Sequence, residues 1–306
     1  MTPPAVAVVG AGAMGLLLAA ACTQAGVPVV LVARGPEAAH QLAGGVLVTR
    51  GEALTRVAVP IAARLEDVAP PEFWVLAVKS YDLAALLPRV ARALGPRTTV
   101  VTWQNGLDAP EEAAAALGSG RVLAAATEQA ATRTGPGEVS HRGEGPTWVG
   151  PLSGGRDPRA DRLVGYLQAA GFLAAASPVM PAVLWGKAAV NAAINPLSAL
   201  LGWPNGRLAA EAPTRTLLRE LAEEVGAAAS AAGHPLQDPG ARALAVAAAT
   251  GSNVSSMLQD VRAGRPTELE AITGAVLRRA AALGVPMPAN QVVYHLMAAL
   301  TMPAPP

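Results

Sequence analysis

Short runs of apolar β-formers alternate with alanine-rich stretches through the first half of the chain. Val6–Val9, Val29–Val32, Trp74–Val78 and Thr99–Thr102 read as strands, bounded by glycine and proline breaks such as Gly26-Val-Pro28 and Gly95-Pro96. Met14–Ala25, apolar throughout from Leu16 to Cys22, reads as the helix after the first strand. Such alternation predicts a parallel sheet wrapped by helices. A further strand pair is predicted between Arg121 and Val149, where Gly135-Pro-Gly137 and Gly143-Glu-Gly-Pro146 bracket a segment containing Val139. From about Pro178 the strand pattern vanishes, and Thr214–Ala232, Ala241–Ala249 and Pro266–Leu283 read as helices ahead of a proline-rich end, Met302–Pro306. The expectation is an α/β chain in two domains: residues 1–177 around a parallel sheet, and residues 178–306 all α-helical.

A hydrophobic share of 52% with 15% charged residues excludes a disordered chain. The apolar runs fall short of the ~20 residues a membrane span needs, and the start lacks the basic region of a signal peptide. These features predict a soluble, cytoplasmic protein. A net charge of +1 without a basic patch argues against nucleic acid and for small-molecule partners. His40, His141, His234 and His295 have no ligand spacing, so no metal is expected. The single cysteine, Cys22, sits in an apolar run and reads as a buried thiol. Alanine-rich helices offer flat faces on which a homodimer could form. Of the 23 basic residues other than histidine only Lys79 and Lys187 are lysines. A lysine can release and regain a proton where an arginine cannot, so both invite a chemical reading.

The most specific pattern is Gly10-Ala11-Gly12-Ala13-Met14-Gly15, between the first strand and its helix. Gly10 permits the tight turn, Gly12 lets backbone approach a pyrophosphate, and Gly15 lets helix and strand pack closely. This is the fingerprint of a Rossmann-type dinucleotide-binding domain. Where an NAD site would carry an acidic residue at the end of the second strand, the chain has Arg34, whose guanidinium matches a 2′-phosphate and so favours NADPH. Lys79 follows the strand Trp74–Val78 at its carboxyl end, within reach of the same cofactor.

Lys187, Asn191 and Asn195 recur at i, i+4 and i+8, which places them on one helix face among small and apolar residues. Such a stripe faces either a cavity or a partner that satisfies it. Asn253 to Glu268 supplies hydroxyls and then a carboxylate; Glu268 reads equally as a residue favoured at a helix start. Gln104-Asn105-Gly106 reads either as an ordinary turn or as a ligand loop at a strand end.

Taken in order, the glycine loop, Lys79, Asn105-Gly106, Lys187-Ala-Ala-Val-Asn191, Asn195-Pro-Leu-Ser-Ala-Leu, Pro204-Asn205-Gly206, Ser255-Ser-Met-Leu-Gln-Asp260 and Thr267-Glu268 resemble the ketopantoate reductase (2-dehydropantoate 2-reductase) family nearly end to end. The resemblance implies a Rossmann domain, an all-helical domain and an active site in the cleft between them. It implies NADPH-dependent reduction of ketopantoate to pantoate in the pantothenate and coenzyme A pathway, with Lys187 as general acid. It also implies that Asn105, Asn191, Asn195, Ser256 and Glu268 bind the 2-keto acid, that Arg34 holds the NADP phosphate, and that Asn105 also touches the cofactor. Gln104 departs from the usual family pattern, and Glu128 places a charge near the expected site, where it could change which keto acid fits. Two other readings stay open: a reductase or dehydrogenase of another 2-keto or 3-hydroxy acid, and a non-catalytic NADP(H) sensor. The sensor leaves Lys187, Asn191, Asn195 and Glu268 without a purpose.

Overall fold

A computed structural model describes residues 3–302; positions 303–306 of the proline-rich end lie outside the described residues. The chain forms two compact units, the first holding residues up to Gln104 and Ala109–Met180, the second Asn105–Asp108 and the residues from Pro181 onward.

The strands of the first unit are β1 (Val6–Val9), β2 (Val29–Val32), β3 (Val46–Arg50), β4 (Ala53–Val57), β5 (Ile61–Ala62), β6 (Phe73–Leu76), β7 (Thr99–Thr102), β8 (Val122–Thr127), β9 (Ala130–Gly135), β10 (Glu138–Gly143), β11 (Thr147–Gly150) and β12 (Ala174–Ala176). Eight of them form one sheet in the order β12-β11-β8-β7-β6-β1-β2-β5, parallel at every pairing except β8 with β11. Every residue of β1, β6, β7 and β8 is buried, as expected of parallel strands covered on both faces. The pair expected between Arg121 and Val149 is present as antiparallel β9 and β10, and that region also supplies β8 and β11 to the main sheet. A second sheet, β4-β3-β10-β9, goes beyond the sequence reading. Its β4 is exposed at every position but Val57 and so leaves no hydrophobic run to read.

Helix α1 (Ala13–Gln24) buries every residue from Gly15 to Cys22. Its side chains share a core with Val6 and Val8 of β1 and with Val46, Val48, Val57 and Val139 of the second sheet. A helix covered by two sheets has to be apolar on all sides, which accounts for the Leu16–Cys22 run. Burial pushes the Cys22 thiol up to about 12, so it stays protonated and inert. Helices α2 (Pro36–Gln41), α3 (Ser80–Arg92), α4 (Asp108–Leu117) and α5 (Pro158–Ala169) complete the order up to β12. Leu83, Leu86, Leu87 and Val90 of α3 cover the other side of the main sheet against Trp74, Leu76 and Val100.

The second unit is helical: α6 (Met180–Leu201), α7 (Asn205–Ala210), α8 (Ala212–Ala231), α9 (Pro239–Ala249), α10 (Ser256–Arg262), α11 (Ala275–Ala282) and α12 (Pro288–Leu300). Val190, Ala193, Ile194 and Leu197 of α6 pack with Leu218 and Leu221 of α8, Ala243 and Ala247 of α9 and Val293 of α12. The helix read from sequence over Pro266–Leu283 starts later than expected, because residues 266–268 are not helical, and it opens on a π-helical turn at Glu270–Gly274 that runs directly into α11. Among the described residues no helix is long and apolar enough to cross a membrane.

Candidate active site

In the first unit, three neighbouring strands of the sheet, β2, β1 and β6, end in the residues singled out above. Gly10 follows β1 with φ of +109°, and its N–H donates to the Val32 carbonyl at 3.1 Å. A β-carbon on Gly10 would stand 3.0 Å from the Val78 nitrogen, and one on Gly15 would stand 1.9 Å from the Gly10 carbonyl oxygen. The turn therefore closes only with glycine at both positions. Gly12 caps α1 with no side-chain acceptor, and the first turn of α1 holds no acidic residue. The free N–H groups and positive end of the dipole suit an anion, so these residues fit a dinucleotide's pyrophosphate. Arg34 follows β2 with its side chain 82% exposed and paired with Asp82 at 2.5 Å. Half-buried Lys79 caps α3, just beyond β6.

Gln104, the apparent departure from the family pattern, is a structural staple at the end of β7. It is buried, donates to the carbonyls of Leu76 at 2.8 Å and Val78 at 3.2 Å, and accepts from the Trp103 N–H at 3.1 Å. It thus fixes the strand end from which Asn105 departs. Half-buried Glu128 lies between β8 and β9, its N–H donating to Pro146.

In the second unit, α6 carries Lys187 and Asn191 half-buried and Asn195 buried, while Ala188, Ala189, Val190, Ala192, Ala193 and Ile194 are all buried. Over that span only Lys187 and Asn191 keep partial exposure. Ser255 caps α10 by accepting from the Leu258 N–H at 3.1 Å and reaches the Asn195 carbonyl at 3.5 Å, which ties α10 to the stripe. Ser256, beside it, is exposed at the first position of α10.

Glu268 is buried just ahead of the π-helical turn and accepts from Asn105 Nδ2 at 3.2 Å. Gly106, at φ of +93°, brings Asn105 there: a β-carbon would stand 1.9 Å from the Ala271 carbonyl oxygen. Of the sequence-predicted residues, Asn105 and Glu268 therefore meet, and Lys187, Asn191 and Asn195 share an edge of α6. Pro204-Asn205-Gly206 serves the scaffold. Asn205 donates to Thr250 Oγ1 at 2.9 Å, and Gly206 leaves room for Gly251. Asp108 went unnoticed in the sequence; it binds both Arg278 and Arg279 of α11 at 2.8 Å.

Residues 6–154 match the family model described as Ketopantoate reductase PanE/ApbA, and residues 180–301 match the one described as Ketopantoate reductase PanE/ApbA C terminal. The chain belongs to the ketopantoate reductase family. The 2-dehydropantoate 2-reductase of Halobacterium salinarum is 32% identical over 298 residues, covering 95% of this chain and 97% of that one. That of Archaeoglobus fulgidus is 31% identical over 292 residues, covering 95% and 96%. The crystal structure of 2-dehydropantoate 2-reductase from Geobacter metallireducens GS-15 matches with a TM-score of 0.90 at 27% identity, over 96% of this chain and 99% of that one. As a ketopantoate reductase family member the chain is a dinucleotide-binding oxidoreductase, which gives the glycine loop its purpose.

The Gly106 contact has a measurable consequence. Gly106→Ala forces the segment off the Ala271 carbonyl and adds left-handed strain, at a cost of ~1–3 kcal/mol. Calorimetry is expected to register a lowered melting temperature; an unchanged one would show that the close approach is absent in solution.

Proposed function

We propose that this ketopantoate reductase family member reduces 2-dehydropantoate to pantoate in the cytoplasm, using NADPH, with Lys187 as general acid. The observation that carries the reading is the edge of α6, where Lys187, Asn191 and Asn195 are the polar groups on a helix otherwise buried over that span. Lys187 is one of two lysines in a chain that elsewhere uses arginine for positive charge. Only the lysine can hand over a proton and recover it.

Gly10, Ala11, Gly12, Ala13, Met14 and Gly15 would hold the cofactor's pyrophosphate, Arg34 would meet its 2′-phosphate, and Lys79 and Asn105 would serve its remaining polar groups. When bound, the reduced nicotinamide supplies the hydride for C2 of the keto acid. Negative charge then develops on the C2 oxygen, and Lys187 gives its proton there. Asn105, Asn191, Asn195 and Ser256 orient the carboxylate and hydroxyl of the substrate by hydrogen bonds. Glu268, buried and hydrogen-bonded to Asn105, completes the set of groups that bind the substrate.

Following NADPH absorbance with 2-dehydropantoate and with shorter and bulkier 2-keto acids tests the substrate. The expected result is a kcat/KM for 2-dehydropantoate at least tenfold above the rest; equal or better turnover of another acid would reassign it. For the cofactor, Arg34→Ala is expected to weaken NADPH by roughly tenfold or more, in line with loss of a charge-assisted bidentate contact, while NADH is little changed. An unchanged NADPH to NADH ratio would remove Arg34 from the 2′-phosphate.

A further inference from the structure

We propose that Asp108 is a positioning residue for the reaction, holding Asn105 against Glu268 through a clamp on two arginines of α11; the purpose of the clamp rests on the site reading above. The segment Asn105–Asp108 lies along the second unit at three successive points. Asn105 Nδ2 donates to Glu268 at 3.2 Å, Gly106 seats on the Ala271 carbonyl, and Asp108 closes the far end. There Oδ2 accepts from Arg278 Nη2 and Oδ1 from Arg279 Nη2, each at 2.8 Å.

The clamp is braced in turn. Arg278 Nη1 also binds Glu270 Oε2 at 3.0 Å, and Glu270 accepts from the Tyr294 hydroxyl of α12. Glu270 opens the π-helical turn whose Ala271 carbonyl meets Gly106, so Arg278, bound to both Asp108 and Glu270, holds both sides of that contact while Arg279 holds Asp108 alone. Isolated surface ion pairs contribute little, but Asp108 divides its two oxygens between two guanidiniums, and the Asp108 and Arg279 side chains are about three-quarters buried. Shared, partly buried charges are screened less and fix geometry better than exposed ones.

The function of that rigidity follows from where Asn105 ends up. A side-chain amide on a three-residue tether from a fixed charge cluster keeps its orientation, whereas the same amide on a free turn samples many. Misplacement of a binding group by about 1 Å can lower turnover by up to about 100-fold.

Steady-state kinetics with NADPH and 2-dehydropantoate on wild type, N105A, D108A and the double variant test the proposal. Asp108→Ala is expected to lower kcat/KM about tenfold on its own. In the N105A background it is expected to add less than twofold, because its effect passes through Asn105. A D108A protein within twofold of wild type would overturn the clamp, as would equal losses in both backgrounds, which mark a general loss of structure. If D108A fails to fold, Arg279→Gln enters the same cycle with the same expected non-additivity. N105A and E268Q both within twofold of wild type would overturn the site assignment, and the clamp's purpose with it. Losses in those two but not in D108A or R279Q would overturn the clamp alone.

Discussion

A β-carbon on residue 106 would stand 1.9 Å from the Ala271 carbonyl oxygen, so the segment Asn105–Asp108 lies against the π-helical turn only because Gly106 has none. That approach brings the Asn105 amide within 3.2 Å of Glu268, a carboxylate buried where an unpartnered charge would be costly. It also places Asp108 on Arg278 and Arg279. The π-helical turn belongs to the same constraint, since such turns are uncommon and cluster at functional sites. Four residues that follow β7 in sequence are thus part of the helical unit in space.

The first unit relies on the same device. Gly10 and Gly15 are packed so that either would clash if it carried a side chain, and the turn they close leaves the start of α1 open to an anion. Positive charge is divided by chemistry. Arginine supplies the fixed fork for carboxylates, with Arg34 on Asp82 and Arg278 and Arg279 on Asp108, and the two lysines, Lys79 and Lys187, are the positions to which the proposed function gives a point charge and a mobile proton.

Much of this was legible in the sequence, for physical reasons that also explain what was not. Strands β1, β2 and β6 announce themselves because buried parallel strands are continuous apolar runs, β7 because its four residues are all β-branched, and the glycine loop because its spacing follows from geometry. The α6 stripe was readable because helical periodicity is local. Strand β4 was silent because four of its five residues face solvent. Glu268 could not be separated from a helix-start residue, since the partner that defines it lies 163 positions away. Asp108 was missed on the same ground, with its arginines 170 and 171 positions off. Gln104 looked like an irregularity until its bonds to Leu76 and Val78 made it a staple.

The proposed chemistry turns on the Lys187 proton, and the most direct measurement is turnover of 2-dehydropantoate by Lys187→Ala at saturating NADPH, read beside NADPH binding to the same variant. A general acid at the C2 oxygen predicts a fall in kcat of about 10²–10⁴ with NADPH affinity nearly unchanged. A variant that turns over within about threefold of the wild type would contradict the assignment of the proton to Lys187.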